Sequence, residues 1–332
     1  MNNKKLRAMV VEPMEDKVCT RFIQERTVDD LPEGDVLIRV KYSSLNYKDA
    51  LSATCNPGVT RNYPHTPGID AAGLVEESSR AEFRKGDAVI VTSYDLGMNT
   101  SGGFGQYVRV PVEWVVRLPD NLSLKESMIY GTAGFTAGMS VDEIVRNVET
   151  QAGDILVTGA SGGVGSISVS ILSRLGYSVV AMSGKPDSAT FLKRLGAKKV
   201  IDRSAVLDSS GKPLLKSCWA GAVDTVGGDI LAGVVKAMDV GGTVTCCGNV
   251  AGPGLALTVF PFIIRGVRLV GINSQSCPMA HRIQVWEHLA NEWKIDLGGD
   301  LYKEIALDQL DENIDQILAG GQIGRVLVNL EQ

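Results

Sequence analysis

Histidine is nearly absent from this chain, with three in 332 residues, and its six cysteines (Cys19, Cys55, Cys218, Cys246, Cys247 and Cys277) never form a Cys-x-x-Cys pair. That spacing offers no local metal centre, so reduced core thiols are expected of all six. Charge of one sign is also missing. The 33 basic and 38 acidic residues nearly balance, leaving no basic field to hold nucleic acid by phosphate neutralisation. No run reaches the roughly 18 to 20 apolar residues that a membrane helix requires. After Met1-Asn2-Asn3-Lys4-Lys5-Leu6-Arg7 only Ala8 to Val11 is apolar, too brief for a secretory signal. The expectation is a cytoplasmic protein with neither a nucleic-acid nor a membrane partner.

What is present is glycine, 37 residues of it, with 44% hydrophobic and 21% charged residues, the make-up of a globular protein rich in tight turns. Residues 1–127 read as strands and turns. Asp35 to Tyr42 puts Val36, Ile38, Val40 and Tyr42 on one face, as a half-buried strand requires. Ser123 with Glu126 has the capping-box pattern that opens a helix. From 128 to 275 apolar strands alternate with helical stretches: Ile155 to Thr158, Ser178 to Met182, Lys199 to Ile201, Ala222 to Thr225, Thr243 to Cys247 and Arg268 to Ile272. This is the pattern of an α/β protein with a doubly wound parallel sheet. Residues 276–332 carry two amphipathic helices and a last strand, Arg325 to Leu330, expected to return to the β-rich half.

Gly159-Ala160-Ser161-Gly162-Gly163-Val164-Gly165 follows the first of those strands. Small residues there let the backbone turn sharply, so the first amides of the next helix point at a phosphate. Ser161, Gly162, Gly163 and Val164 are the candidate phosphate contacts, and Gly165 would let the helix lie close on the sheet. At the end of the second strand an acid would accept from a free ribose 2′-hydroxyl, but the residues are Ser183-Gly184-Lys185. A hydroxyl and an ammonium suit a 2′-phosphate, which favours NADPH/NADP+ over NADH, and Lys199 is expected to reach the same phosphate. Cys247, Gly248, Asn273 and Ser274 follow later strands and would flank the nicotinamide, or else serve only as turn residues. The same loop also matches the Gly-x-Ser-x-Gly nucleophile elbow, with Asp224 and His281 or His288 in hydrolase order, although Gly163 and Gly165 have no purpose in an elbow.

With these residues placed, the chain resembles the medium-chain dehydrogenase/reductase superfamily, in its zinc-free branch of quinone oxidoreductases and acrylyl-CoA reductases. The likeness rests on Ser44-Leu45-Asn46-Tyr47-Lys48-Asp49-Ala50-Leu51, Pro67-Gly68-Ile69-Asp70, Gly131-Thr132-Ala133-Gly134-Phe135-Thr136-Ala137 and the Ser161 loop. The zinc enzymes of that superfamily place cysteine where Asn46 stands and Gly-His-Glu where Gly68-Ile69-Asp70 stands, so no metal is expected here. The resemblance implies a Rossmann domain joined to a mostly β, GroES-like catalytic domain. It also implies hydride transfer to a quinone or an activated C=C such as acryloyl-CoA. Tyr47 would stand beside the nicotinamide as catalytic and cofactor residue, Asn46 would donate to a substrate carbonyl, and Thr132 and Arg325 would touch the cofactor. Asp49 would fix the loop, with Arg61 and Tyr63 weaker candidates for an anionic substrate.

The reading is therefore an NADPH-dependent, zinc-independent reductase of a small molecule. A homodimer is expected through the apolar strand Arg268 to Ile272 at a sheet edge. Two other readings stay open: an NADPH-binding redox sensor or structural protein without turnover, and a serine hydrolase using Ser161.

Overall fold

The computed structural model describes residues 4–14 and 19–332, so Met1, Asn2 and Asn3 of the N-terminal reading lie outside it. The chain divides into two compact units, residues 1–132, 275–290 and 297–332, and residues 133–274 and 291–296.

The first unit starts with an antiparallel pair, β1 (Lys5–Pro13) and β2 (Cys19–Thr27). There follow β3 (Val36–Leu45), α1 (Tyr47–Ser52), β4 (Asp70–Ser78), β5 (Ala88–Thr92), β6 (Tyr107–Val110) and β7 (Val116–Arg117). The expected alternation in β3 holds for Val36, Ile38 and Val40, but Leu37 on the other face is buried as well. It packs with Leu6, Ala8 and Val28, because β1 and its neighbours cover that face. Two-sided burial makes β3 the spine of the unit, paired antiparallel with β4, β6 and the last strand of the chain. Fully burying each such Val, Leu or Ile is worth about 1.5–3 kcal/mol.

Ser123 and Glu126 make the capping box: Ser123 N–H donates to Glu126 Oε2 at 2.8 Å, and Glu126 N–H to Ser123 Oγ at 3.1 Å. The helical stretch α2 (Leu124–Asn147) begins there and is broken at Gly131, whose φ of 52° and ψ of −157° are non-helical.

In the second unit β8 (Asp154–Val157), α3 (Gly163–Arg174), β9 (Ser178–Met182), α4 (Ser188–Arg194), β10 (Lys199–Ile201), β11 (Trp219–Asp224), α5 (Gly228–Lys236), β12 (Met238–Cys246), α6 (Phe260–Arg265) and β13 (Arg268–Gly271) alternate. The strands lie in the order β10-β9-β8-β11-β12-β13, every pair parallel. Ile155, Leu156 and Val157 are fully buried, which explains a continuous apolar run where β3 has alternation. The order reverses beside β8, the switch point where an open sheet leaves a crevice at its carboxyl ends.

The tail holds α7 (Met279–Ala290), β14 (Tyr302–Ala306), α8 (Leu310–Leu318) and β15 (Arg325–Asn329). Strand β15 joins the seven-stranded sheet of the first unit between β14 and β3.

One expectation fails. Cys19 and Cys55 form a disulfide with Cα atoms 6.0 Å apart. They are 36 residues apart in sequence, so only the folding of β2 beside the turn after α1 brings them together. Cys218, Cys246, Cys247 and Cys277 are free.

Candidate active site

Chemistry-bearing residues gather in two places, one in each unit. In the first unit β3 ends at Leu45 and Asn46 turns the chain into α1, with extended φ and ψ of −122° and 160°. Asp49, in the first turn, accepts the Asn46 N–H at 2.8 Å through Oδ2 and the Ile69 N–H at 2.8 Å through Oδ1. Asp70, fully buried, opens β4. Its carboxylate accepts from Ser44 Oγ at 2.6 Å, Asn46 Nδ2 at 2.8 Å, Thr132 N–H at 2.9 Å and Thr132 Oγ1 at 2.6 Å.

Arg325, also buried, donates to Ile129 O, Leu45 O, Asn46 Oδ1 and Ser44 Oγ, and its Nη2 stands 3.9 Å from Asp70. Two buried carboxylates thus share one guanidinium. Burial first, and then the neighbouring Asp70 charge, pushes the Asp49 carboxyl up to about 7. Burial also lowers Arg325, an effect that Asp70 and Asp49 oppose.

Three expectations change here. The Asn46 amide donates to Asp70, Asp49 and the Ser44 carbonyl while its oxygen accepts from Arg325, so it has no donor left for a substrate carbonyl. Arg325 is buried and donates to two carbonyls, Asn46 Oδ1 and Ser44 Oγ. Thr132 is held by Asp70, with Ser93 Oγ 3.0 Å from its hydroxyl. Nor do these residues fit zinc: the Asn46 amide is committed, Ile69 is a hydrocarbon, and among the described residues no group of three or more His, Cys, Asp or Glu converges.

Beside the cluster Tyr47 begins α1 with 38% of its surface exposed. Lys48 is half-buried, and its ammonium donates to Gln275 Oε1 at 2.9 Å. Burial lowers its pKa, with Asp49 opposing. Tyr63 donates its hydroxyl to Ser52 O at 2.9 Å, and Arg61 is exposed.

In the second unit the loop after β8 turns through Gly159, at φ 56°, into α3. Gly165 serves packing as expected, since a Cβ on it would lie 2.4 Å from Gly159 O. Gly163, Val164 and Gly165 open α3, where helix amides have no earlier carbonyl to bond. Ser161 and Ser183 face each other, hydroxyl to hydroxyl, at 3.1 Å, and Ser188 Oγ donates to Ser183 at 2.8 Å. The Lys185 N–H also donates to Ser183 Oγ at 3.1 Å, and burial lowers the Lys185 ammonium.

Lys199 does not join them. It pairs with Val180 at the amino end of β10, whereas Ser183 N–H meets Ile201 O at the carboxyl end. The cation at that end is one the sequence reading missed, Arg203. A methyl group on Gly184 would lie 3.7 Å from Arg203 Cδ. Counting two residues past the third strand was the signal that would have found it.

Gly248 is a glycine for space, because a Cβ there would sit 1.9 Å from Thr225 O. Cys247 follows β12 with its thiol pushed up to about 12, by burial first and then by Asp224 and Cys246. Asn273 and Ser274 follow β13. The elbow reading loses its parts: Ser161 is paired with Ser183, and Asp224 accepts from Thr158 Oγ1 at 2.7 Å and the Gly227 N–H at 2.7 Å.

Comparison with known proteins finds two family matches. Residues 32–120 match the alcohol dehydrogenase GroES-like domain, and residues 163–291 match the family described as zinc-binding dehydrogenase. The YhfP protein of Bacillus subtilis (strain 168) is 45% identical over 97% of this chain and 98% of its own. Its structure, with NAD bound, has a TM-score of 0.95. Acrylyl-CoA reductase AcuI of Ruegeria pomeroyi is 40% identical over 97% of this chain and 98% of its own. The structure of E. coli K-12 YHDH with bound NADPH is 42% identical, covers 97% of this chain and 99% of that one, and has a TM-score of 0.92.

Proposed function

Because the chain belongs to the medium-chain dehydrogenase/reductase family, in its zinc-free quinone oxidoreductase and acrylyl-CoA reductase branch, we propose that it is an NADPH-dependent reductase of a small electron-poor acceptor. The acceptor is a quinone or an activated C=C such as acryloyl-CoA. The observation that carries the cofactor choice is the carboxyl end of β9, where the Ser188 hydroxyl and the Lys185 N–H donate to Ser183 Oγ, Arg203 stands beside Gly184, and Ser183-Gly184-Lys185 contains no acid. This donor set fits NADPH. The opening amides of α3 and Ser161 would hold its pyrophosphate, and Ser183, Lys185 and Arg203 its 2′-phosphate. Similar structures hold NADPH in one case and NAD in another, which makes the contrast a measurable one. NADPH should bind at least about tenfold more tightly than NADH, a difference of about 1.4 kcal/mol.

When bound, NADPH supplies a hydride. The acceptor is then left with an anionic oxygen that needs a cation and a proton. Arg325 is enclosed in the aspartate cluster, and Arg282 is fully buried, donating to Thr92 O at 3.0 Å. Lys48 has a neutral partner and partial exposure, and burial loosens its proton, so it is the group assigned to the anion. Tyr47 would hydrogen-bond cofactor or substrate from the start of α1. Asn46 and Asp49 hold α1 in place.

The test follows NADPH absorbance with acryloyl-CoA and then with a quinone. Silence with both, despite NADPH binding, would favour the binding-protein reading. Lys48→Met should lower kcat at least about tenfold with NADPH affinity unchanged, and Lys48→Arg should recover part of the loss. Normal turnover in Tyr47→Phe would remove Tyr47 as proton donor.

A cytoplasmic homodimer completes the proposal. Among the described residues no helix is long and apolar enough to cross a membrane. Strand β13 is the end of its sheet, and on the neighbouring α6 stretch Val259, Ile263 and Ile264 are 63%, 70% and 58% exposed. An open strand edge beside an apolar patch suits pairing with its own copy across a two-fold axis. Light scattering should give the dimer mass, and Ile263→Glu should halve it.

A further inference from the structure

The disulfide lies at the exit of α1, the helix that carries Tyr47 and Lys48. Cys55 comes three residues after that helix ends, and the chain beyond it folds back on the helix. Asn56 N–H donates to Leu51 O at 3.0 Å, Thr60 Oγ1 and Ser52 Oγ stand 2.7 Å apart, and Tyr63 donates to Ser52 O. Residues 55–63 therefore form a loop packed on α1 with Arg61 exposed on it. Cys19, at the start of β2, is the covalent anchor of that loop.

Two features separate this pair from a structural staple sealed in a core. Both cysteines are half-buried, so small molecules reach them. Cys55 also sits at φ 57°, a left-handed conformation that residues with side chains rarely adopt. A glycine would make that turn without strain, and cysteine there is accounted for by the bond it makes. The contrast is Cys247, whose thiol is pushed up to about 12 by burial and by Asp224 and Cys246, which makes it poorly reactive.

We propose that Cys19 and Cys55 are a reversible redox site, closed by a small two-electron oxidant and opened by dithiols, whose closed form ties residues 55–63, the loop packed on α1, to the start of β2. Closure forms the S–S bond as each thiol gives up one proton and one electron. With hydrogen peroxide as oxidant the O–O bond breaks and two waters leave. A dithiol reopens the bond by exchange and leaves as its own disulfide.

The test needs no substrate, so its failure is separate from failure of the proposed activity. Thiols are counted in denatured protein after dithiothreitol and after peroxide. Six are expected in the first case and four, six minus the bonded pair, in the second. Trypsin then reports the loop in native protein. Cleavage after Arg61 should be about tenfold faster in the reduced form, by the greater fraction of time the loop is open. Cys19→Ser and Cys55→Gly, the second keeping the left-handed turn, should be cut at the reduced rate under both conditions. A thiol count that does not respond to either reagent, equal cleavage of the two wild-type forms, or protection that persists in both variants would overturn the proposal.

Discussion

The two clusters, one in each unit, are built on opposite electrostatic plans. Around Asp70 two aspartates, a guanidinium, an amide and two hydroxyls satisfy one another in a cluster that is buried except at half-buried Thr132. Around Ser183 the Lys185 N–H and the Ser188 hydroxyl both donate to one oxygen and Arg203 stands beside Gly184, a set that we propose receives an anion. A closed cluster is paid for in stability when it is broken. An open donor set costs affinity instead.

That difference orders the expected effects. Asp70→Ala leaves Arg325 and the Thr132 donors without their carboxylate, and should cost about 3–5 kcal/mol of stability in chemical denaturation. Opening the Cys19–Cys55 bond, which closes a 36-residue separation, should cost about 3–4 kcal/mol on the chain-entropy account, measured with and without dithiothreitol. On the open side, Lys185→Ala combined with Arg203→Ala should weaken NADPH binding about 10- to 100-fold while NADH binding and melting temperature stay put. If the melting temperature fell instead, the second cluster would be as closed as the first.

A more gradual effect, spread over about three pH units, tests the aspartate pair. The folded Asp49 carboxyl lies at about 7, above its unfolded value near 3.8. Between those values the folded state holds a proton that the unfolded state has lost, so stability falls as pH rises from about 4 to about 7 and levels off above. The slope approaches about 1.4 kcal/mol per pH unit. Asp49→Asn should remove it, and an unchanged slope would place the titration elsewhere. The smallest change is Ser161→Ala, expected to weaken NADPH binding by about 1 kcal/mol with no change in melting.

Legibility followed the same line. The glycine-rich loop, β9 and the residues after it are nearly contiguous, so spacing alone singled out Ser161, Ser183 and Lys185, which the fold brings together. Lys199 was misplaced because charge and nearness in sequence say nothing about which end of a three-residue strand a side chain occupies. Register decides that, and it points to Arg203. Asn46 was read as a substrate donor because a polar side chain beside Tyr47 looks available until its partners are counted.

By itself the sequence determined the parallel sheet, the glycine-rich turn from β8 into α3 and the lack of a zinc ligand set, since each depends on residue types at short, regular spacing. Only the tertiary structure decided that Ser44, Asn46, Asp49, Asp70, Thr132 and Arg325 form one cluster, and that Cys19 meets Cys55. Those partners come from separate strands and turns, and whether a buried polar group is free or spent depends on what the fold places within about 3 Å of it.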